Sequence, residues 1–105
     1  MILIKNKILF YIFIFSSFVY SQTEIDVLIK EVYSGNLENA KSSMARLRNE
    51  FPDEPSLLFL DAMLDENTDQ SIKKFKKIQD FYKDSEYADD AIMKIAEYYY
   101  TKGLY

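Results

Sequence analysis

From residue 22 onward, apolar positions recur every three or four residues, which is the spacing of one face of an α-helix. Five stripes of this kind follow one another along the chain. They are Ile25, Leu28, Ile29 and Val32; Leu37, Ala40, Met44, Leu47 and Phe51; Leu57 to Leu64; Ile72, Phe75, Ile78 and Phe81 or Tyr82; and Ala88, Ala91, Ile92, Ile95, Ala96 and Tyr99. The pattern predicts five helices of roughly 11–15 residues whose short connections make neighbours antiparallel.

Residues that start or stop helices separate these stripes. Gly35 suits the left-handed position after a helix, and Pro52 ends the second stripe because proline lacks an N–H. Pro55 suits the first turn of the third helix, and Ser85 is a candidate N-cap for the fifth. The third stripe is apolar except for Asp61, so we expect its helix to be buried on more than one side. Two Gly and two Pro are too few for an all-β fold.

The first 21 residues have the pattern of a signal peptide. Lys5 and Lys7 precede an apolar stretch from Ile8, and Val19-Tyr20-Ser21 resembles a cleavage site. We expect cleavage near Ser21-Gln22 and export of a domain spanning residues 22–105. The alternative is an uncleaved anchor, although the stretch is shorter than the ~20 residues that span a bilayer. No Cys is present for lipidation.

Composition removes several functions from consideration. The chain has no His and no Cys, and these are the residues that most often serve as general base, metal ligand or nucleophilic thiol. If Lys5 and Lys7 are removed with the signal peptide, the mature chain keeps 11 of the 13 basic residues and all 17 acidic residues. Its net charge is then −6. A negative surface repels phosphate backbones. We therefore expect no catalytic residues, no cofactor, no metal and no nucleic acid partner.

Three polar patterns could carry chemistry, and each has a simpler interpretation. Asp65-x-Asn67-x-Asp69 copies the start of a calcium loop, but Gln70 and Lys76 replace the required Gly and Glu. A polar turn explains it better. Pairs of acidic residues occur near the predicted helix ends. A carboxylate there interacts favourably with the helix dipole. The four lysines of the fourth helix could bind an anionic lipid or an acidic partner, but we favour the solvated face of an amphipathic helix. These lysines are Lys73, Lys74, Lys76 and Lys77.

Two longer patterns resemble a known repeat family. The first is Gly35-Asn36-Leu37-x-x-Ala40-x-x-x-Met44-x-x-Leu47-x-x-x-x-Pro52, and the second runs from Phe81-Tyr82-Lys83-Asp84-Ser85-Glu86-Tyr87-Ala88 to Tyr98-Tyr99-Tyr100-x-x-Gly103-x-Tyr105. Both resemble tetratricopeptide repeat proteins of the bacterial envelope, a group with members in outer-membrane assembly and cell division. Gly103 follows Gly35 by two of the family's ~34-residue periods. The resemblance implies an all-α solenoid of antiparallel helix pairs, about two and a half repeats, with the partner helix of the third repeat missing because the chain is a front piece.

The same resemblance implies where a partner would bind. In the family, the first helix of each unit lines a concave groove for a peptide or protein. The matching positions here are Phe59, Met63, Met93, Glu97 and Tyr100. Packing against a neighbouring helix is the alternative: we weigh the two evenly for Tyr100 and favour packing for Phe59. Tyr99 matches a packing position, and Ala40 and Ala96 match points where helices cross closely.

The resulting expectation is a non-enzymatic scaffold of the periplasm or outer-membrane periphery that binds a protein or peptide partner. One alternative is the repeat part of a cell-division or peptidoglycan-associated protein whose further domain is missing. Another is a small membrane-anchored helical subunit that keeps its N-terminal segment. The mature N-terminus separates this last alternative from export.

Overall fold

The computed structural model describes residues 23–103, and this part of the chain is all-helical with no strand. Helix α1 covers residues 23–33. The others are α2 (Glu38–Glu50), α3 (Pro55–Leu64), α4 (Thr68–Phe81) and α5 (Ala88–Thr101). The prediction of five helices in this order is confirmed. The expected signal segment, residues 1–21, lies outside the described residues.

The turns between the first three helices form where the sequence predicts them. Gly35 has φ +92°, a left-handed conformation that costs a residue with a side chain more than it costs glycine. Helix α2 stops at Glu50, and its C-cap is Phe51, the residue before Pro52. A residue before proline is driven out of the helical region. Pro55 is the first residue of α3.

The two later helix starts use different polar groups. The Asn67 side chain accepts a 3.1 Å hydrogen bond from the Gln70 N–H and caps α4. Ser85, in contrast, is not the N-cap of α5, because the cap position is Tyr87 and no side chain bonds there. Ser85 Oγ instead accepts from the Tyr87 N–H at 3.2 Å. The prediction for Ser85 is wrong because the hydroxyl closes a turn that precedes the helix.

Helix α3 lies in the middle of the packing and contacts both α2 and α4, while α4 also contacts α5. The buried residues of α3 are Ser56, Leu57, Phe59, Leu60 and Ala62. They occupy more than one side of the helix, as the near-continuous apolar stretch predicted. Helix α1 adds Ile25, Leu28 and Ile29 to the same core.

Polar contacts fix the direction of α1 relative to its neighbours. The Tyr87 hydroxyl donates to the Asp26 carboxylate at 2.6 Å, and the Lys94 ammonium lies 5.1 Å from the centroid of the Tyr33 ring. Both pairs are 61 residues apart in sequence, so α1 and α5 run parallel. Helices α4 and α5 are antiparallel, because Tyr98 in the last turn of α5 bonds to Asp69 in the first turn of α4. This arrangement is compatible with a helical repeat.

Two members of the α5 stripe do not reach the core. Ala88, Ala91 and Ile95 are buried, whereas Ile92 is 44% exposed and Ala96 is exposed. The prediction that Ala96 sits at a close helix crossing is therefore wrong within the described chain, because no described helix covers that side of α5. Ala40 is fully buried, as expected for such a crossing.

Candidate functional site

One exposed surface of α5 collects three of the five residues expected to contact a partner. Met93 is 61% and Tyr100 is 70% exposed, and Glu97 is also exposed. Together with Ala96 and Thr101 they line a shallow cavity of ≈ 480 Å³. We call these five residues the outer face of α5. They come together because the core-facing residues occupy the opposite side of this amphipathic helix.

The other two candidate residues lie elsewhere. Phe59 is fully buried, stacked on the Tyr87 ring at 4.9 Å and edge-on to Phe75 at 5.4 Å. The packing alternative favoured from the sequence therefore describes Phe59. Met63 is partly buried against the core. The structure thus gives no single surface shared by all five candidates.

Tyr87 is the buried residue that the sequence left without a role. It is almost fully buried and covers Phe59 from the turn before α5. Burial, and then the hydrogen bond to the Asp26 carboxylate, raise the pKa of Tyr87 above its usual range. The sequence signal for this role was an aromatic residue two positions after Ser85, which forms a turn. The partners of Tyr87, Asp26 and Phe59, lie far away in the sequence and could not be inferred from it.

Acidic side chains lie at the N-terminal end of the outer face and on the face itself. Asp89 and Asp90 lie in the first turn of α5, and Glu97 lies on the outer face itself; we call these three the acidic border. Lys94 pairs with Glu97 at 3.6 Å. Burial, with the charges of Asp90 and Glu97, raises the pKa of Tyr33. Within residues 89–97 three carboxylates are opposed by the single cation Lys94, so this part of α5 carries a net negative charge.

The lysines of α4 do not behave as one solvated face. Lys73 and Lys77 are exposed, but the Lys74 ammonium lies 2.7 Å from Asp65 and 3.3 Å from Asp61. Partial burial acts to lower the pKa of Lys74, but these two carboxylates outweigh it and the net shift is upward. Lys74 thus joins α4 to α3.

Lys76 is held as well, but by α5. Its ammonium donates a 2.7 Å hydrogen bond to the Tyr99 hydroxyl, and this bond raises the pKa of Lys76. Tyr99 also packs against the core, which agrees with the packing position expected for it. Both interpretations offered for the lysine cluster therefore omit the structural roles of Lys74 and Lys76.

The residues of the calcium-like pattern serve separate structural purposes. Asp65 Oδ1 accepts from the Asn67 N–H at 3.0 Å, while its other oxygen binds Lys74. Asp69 accepts from the Tyr98 hydroxyl at 3.1 Å. Between residues 23 and 103, no group of three or more His, Cys, Asp or Glu side chains is placed to hold a metal ion.

A second cavity, of ≈ 520 Å³, lies between α2, α3 and α4. Its charged groups are already paired: Arg48 with Asp61 at 2.5 Å, and Lys41 with Glu66 at 3.9 Å. Because these charges neutralise one another, the cavity has no net preference for a charged ligand. The outer face of α5 remains the stronger candidate.

Comparison of the chain with protein-family models, with curated proteins and with solved structures gave no match. The helices described here are all too short or too polar to cross a membrane.

Proposed function

We propose that this protein is a non-enzymatic interaction module, related in architecture to the tetratricopeptide repeats, that works in the cell envelope and binds a protein partner through the outer face of α5. The observation that carries the proposal is the exposure of Met93 and Tyr100 on either side of the small Ala96. Large apolar side chains that are exposed together on one surface, rather than singly, are characteristic of binding sites.

The residue types support binding of a protein. Tyr gives a large, rigid contact with a polar hydroxyl at its end, and Met adapts its unbranched side chain to differently shaped partners. Tyr is also among the residues that contribute most when interfaces are mapped by substitution. Phe59, which is fully buried, and Met63, which packs against the core, support the module rather than contacting the partner.

Site-specific photo-crosslinking tests the proposal. A photoreactive amino acid replaces Met93 or Tyr100 in cells that express the chain, and Phe81 serves as the matched control because it is a 75% exposed aromatic side chain on another helix. We expect one protein to crosslink at both α5 positions and not at Phe81. That protein, purified, should bind the chain directly and more weakly after Tyr100→Ser. Equal crosslinking at all three positions would contradict the proposal.

The envelope part of the proposal has its own test. The sequence of the first 21 residues supports export, and mass spectrometry of the mature chain reads its N-terminus. Gln22 as first residue supports an exported module. Met1 as first residue would instead favour the membrane-anchored subunit.

A further inference from the structure

We propose that the occupant of the outer face of α5 is a basic amphipathic helix of the partner protein. This inference rests on the proposed function, since it assumes that the face binds a protein. It adds the shape and the charge of the segment that binds.

The shape of the face fits one helix. Met93, Ala96 and Tyr100 are three and four residues apart, so their side chains form a single row along α5. The distance between packed helices depends on the side chains at the contact, and Ala96 is the smallest member of the row. A helix crossing at Ala96 can approach closely, with Met93 and Tyr100 on either side of it.

The negative charge near the outer face of α5 favours a partner helix with basic residues along one side. The acidic border, defined above as Asp89, Asp90 and Glu97, lies beside the apolar row. Lys94 reduces this charge only in part, because its ammonium is shared between Glu97 and the Tyr33 ring. Lys or Arg side chains on one edge of the incoming helix would meet these carboxylates. Complementary charge of this kind speeds encounter and excludes wrong partners.

A second copy of the chain fits this face less well. In a two-fold pair each surface meets its own equivalent, and Glu97 lies next to Ala96 at the middle of the face. The two Glu97 carboxylates would therefore approach each other, and like charges facing one another across an interface are unfavourable. The excess of acidic over basic residues in the described part of the chain adds to the repulsion.

Two synthetic peptides test the inference with the purified full chain. Both are about 18 residues long, enough to form a helix, and share one stripe of Leu and Ala. The residues beside the stripe are Lys in one peptide and Glu in the other. Fluorescence anisotropy should show the Lys peptide binding at least about tenfold more tightly. Raising the ionic strength from about 0.05 M to about 0.5 M should reduce this preference, because salt screens exposed charges.

Two charge variants locate the effect. Asp90→Asn with Glu97→Gln should remove most of the preference for the Lys peptide while the far-ultraviolet circular dichroism spectrum stays unchanged. Asp53→Asn with Glu66→Gln makes the same change of charge in two other exposed positions and should keep the preference. Tyr100→Ser should weaken binding of both peptides because it removes apolar contact area.

Three results would overturn the inference. Equal binding of both peptides would remove the charge argument. Binding of neither peptide would exclude a helix, and if crosslinking at Met93 and Tyr100 still identifies a partner, the proposed function survives with a different binding segment. Self-association in sedimentation experiments that is abolished by Tyr100→Ser would assign the face to a second copy.

Discussion

Replacing Tyr87 by Phe removes one hydroxyl group from the core and leaves the aromatic ring in place. That hydroxyl donates the 2.6 Å hydrogen bond to the Asp26 carboxylate, while the ring stacks on Phe59. Since the stacking is retained in the variant, the loss is confined to the hydrogen bond. A hydrogen bond to a charged group contributes about 1.5–3 kcal/mol. We expect Tyr87→Phe to lower the free energy of unfolding by about 2 kcal/mol.

The same hydroxyl makes stability sensitive to alkaline pH. Burial and the Asp26 carboxylate raise the pKa of Tyr87 in the folded chain, whereas an unfolded tyrosine has a pKa of about 10. The stabilisation is therefore fully present below about pH 10 and is lost above it, because the unfolded chain releases this proton first. The stability difference between parent and Tyr87→Phe should shrink by about 1 kcal/mol between about pH 9 and about pH 11.

Urea denaturation followed by circular dichroism measures both effects. Asp26→Asn is the matched control, since its amide oxygen still accepts the hydrogen bond without the charge. A double-mutant cycle of Tyr87→Phe with Asp26→Ala should give a coupling of about 1 kcal/mol or more. A Tyr87→Phe variant within about 0.3 kcal/mol of the parent, or a difference that stays constant with pH, would refute the reasoning.

Three further changes test the packing and the turns by the same urea method. Lys74→Ala leaves Asp61 and Asp65 without their shared cation and should cost about 1 kcal/mol, a modest value because Lys74 is partly solvated; Lys73→Ala, on the exposed side, should cost less than about 0.5 kcal/mol. Gly35→Ala should cost about 1 kcal/mol, since open space surrounds the site and the left-handed backbone alone opposes the side chain. Ala40→Phe should cost about 1–3 kcal/mol by overpacking, whereas Ala96→Phe should be nearly neutral.

Each comparison has a clear contrary result. Equal losses for Lys74→Ala and Lys73→Ala would mean that Asp61 and Asp65 do not need their shared cation. If Gly35→Ala leaves the free energy of unfolding unchanged, the left-handed backbone at that turn does not oppose a side chain. A large loss from Ala96→Phe would indicate that something covers the outer face of α5 in solution.

The helices were predictable because their signals are local. Gly35, Pro52 and Pro55 act through their own backbone conformations, and the apolar stripes need only a regular spacing within one helix. The Asn67 cap of α4 is also local, since it uses a residue three positions away, although only a polar turn was predicted there. The exposure of Met93 also follows from one helix, because Met93 lies opposite the residues that pack. For Tyr100 the sequence weighed exposure and packing evenly, and the structure shows an exposed side chain.

The parts that were not predictable depend on residues far apart in the chain. Tyr87 acquires its role from Phe59 and from Asp26, which lie on two other helices. Lys74 turns inward because Asp61 of α3 and Asp65, which caps α3, face it, and no pattern within α4 reveals them. Packing of Phe59 was favoured from the sequence, but the Tyr87 ring that stacks on it from the turn before α5 was not predictable.

The parallel contact between α1 and α5 has a consequence for how the chain acquires its fold. The residues that join these helices are 61 positions apart, so α1 has to wait for the synthesis of residues 87–94 before its contacts are complete. Closing such a distance costs chain entropy before any contact repays it. A stack of repeats with contacts only between neighbours can fold unit by unit from either end. Here α1 can contact α2 early, through the Arg46–Glu24 ion pair and the Asn39–Glu31 hydrogen bond. Its contacts to α5 form only after the fifth helix has been made, so the packing of α1 stays incomplete until then.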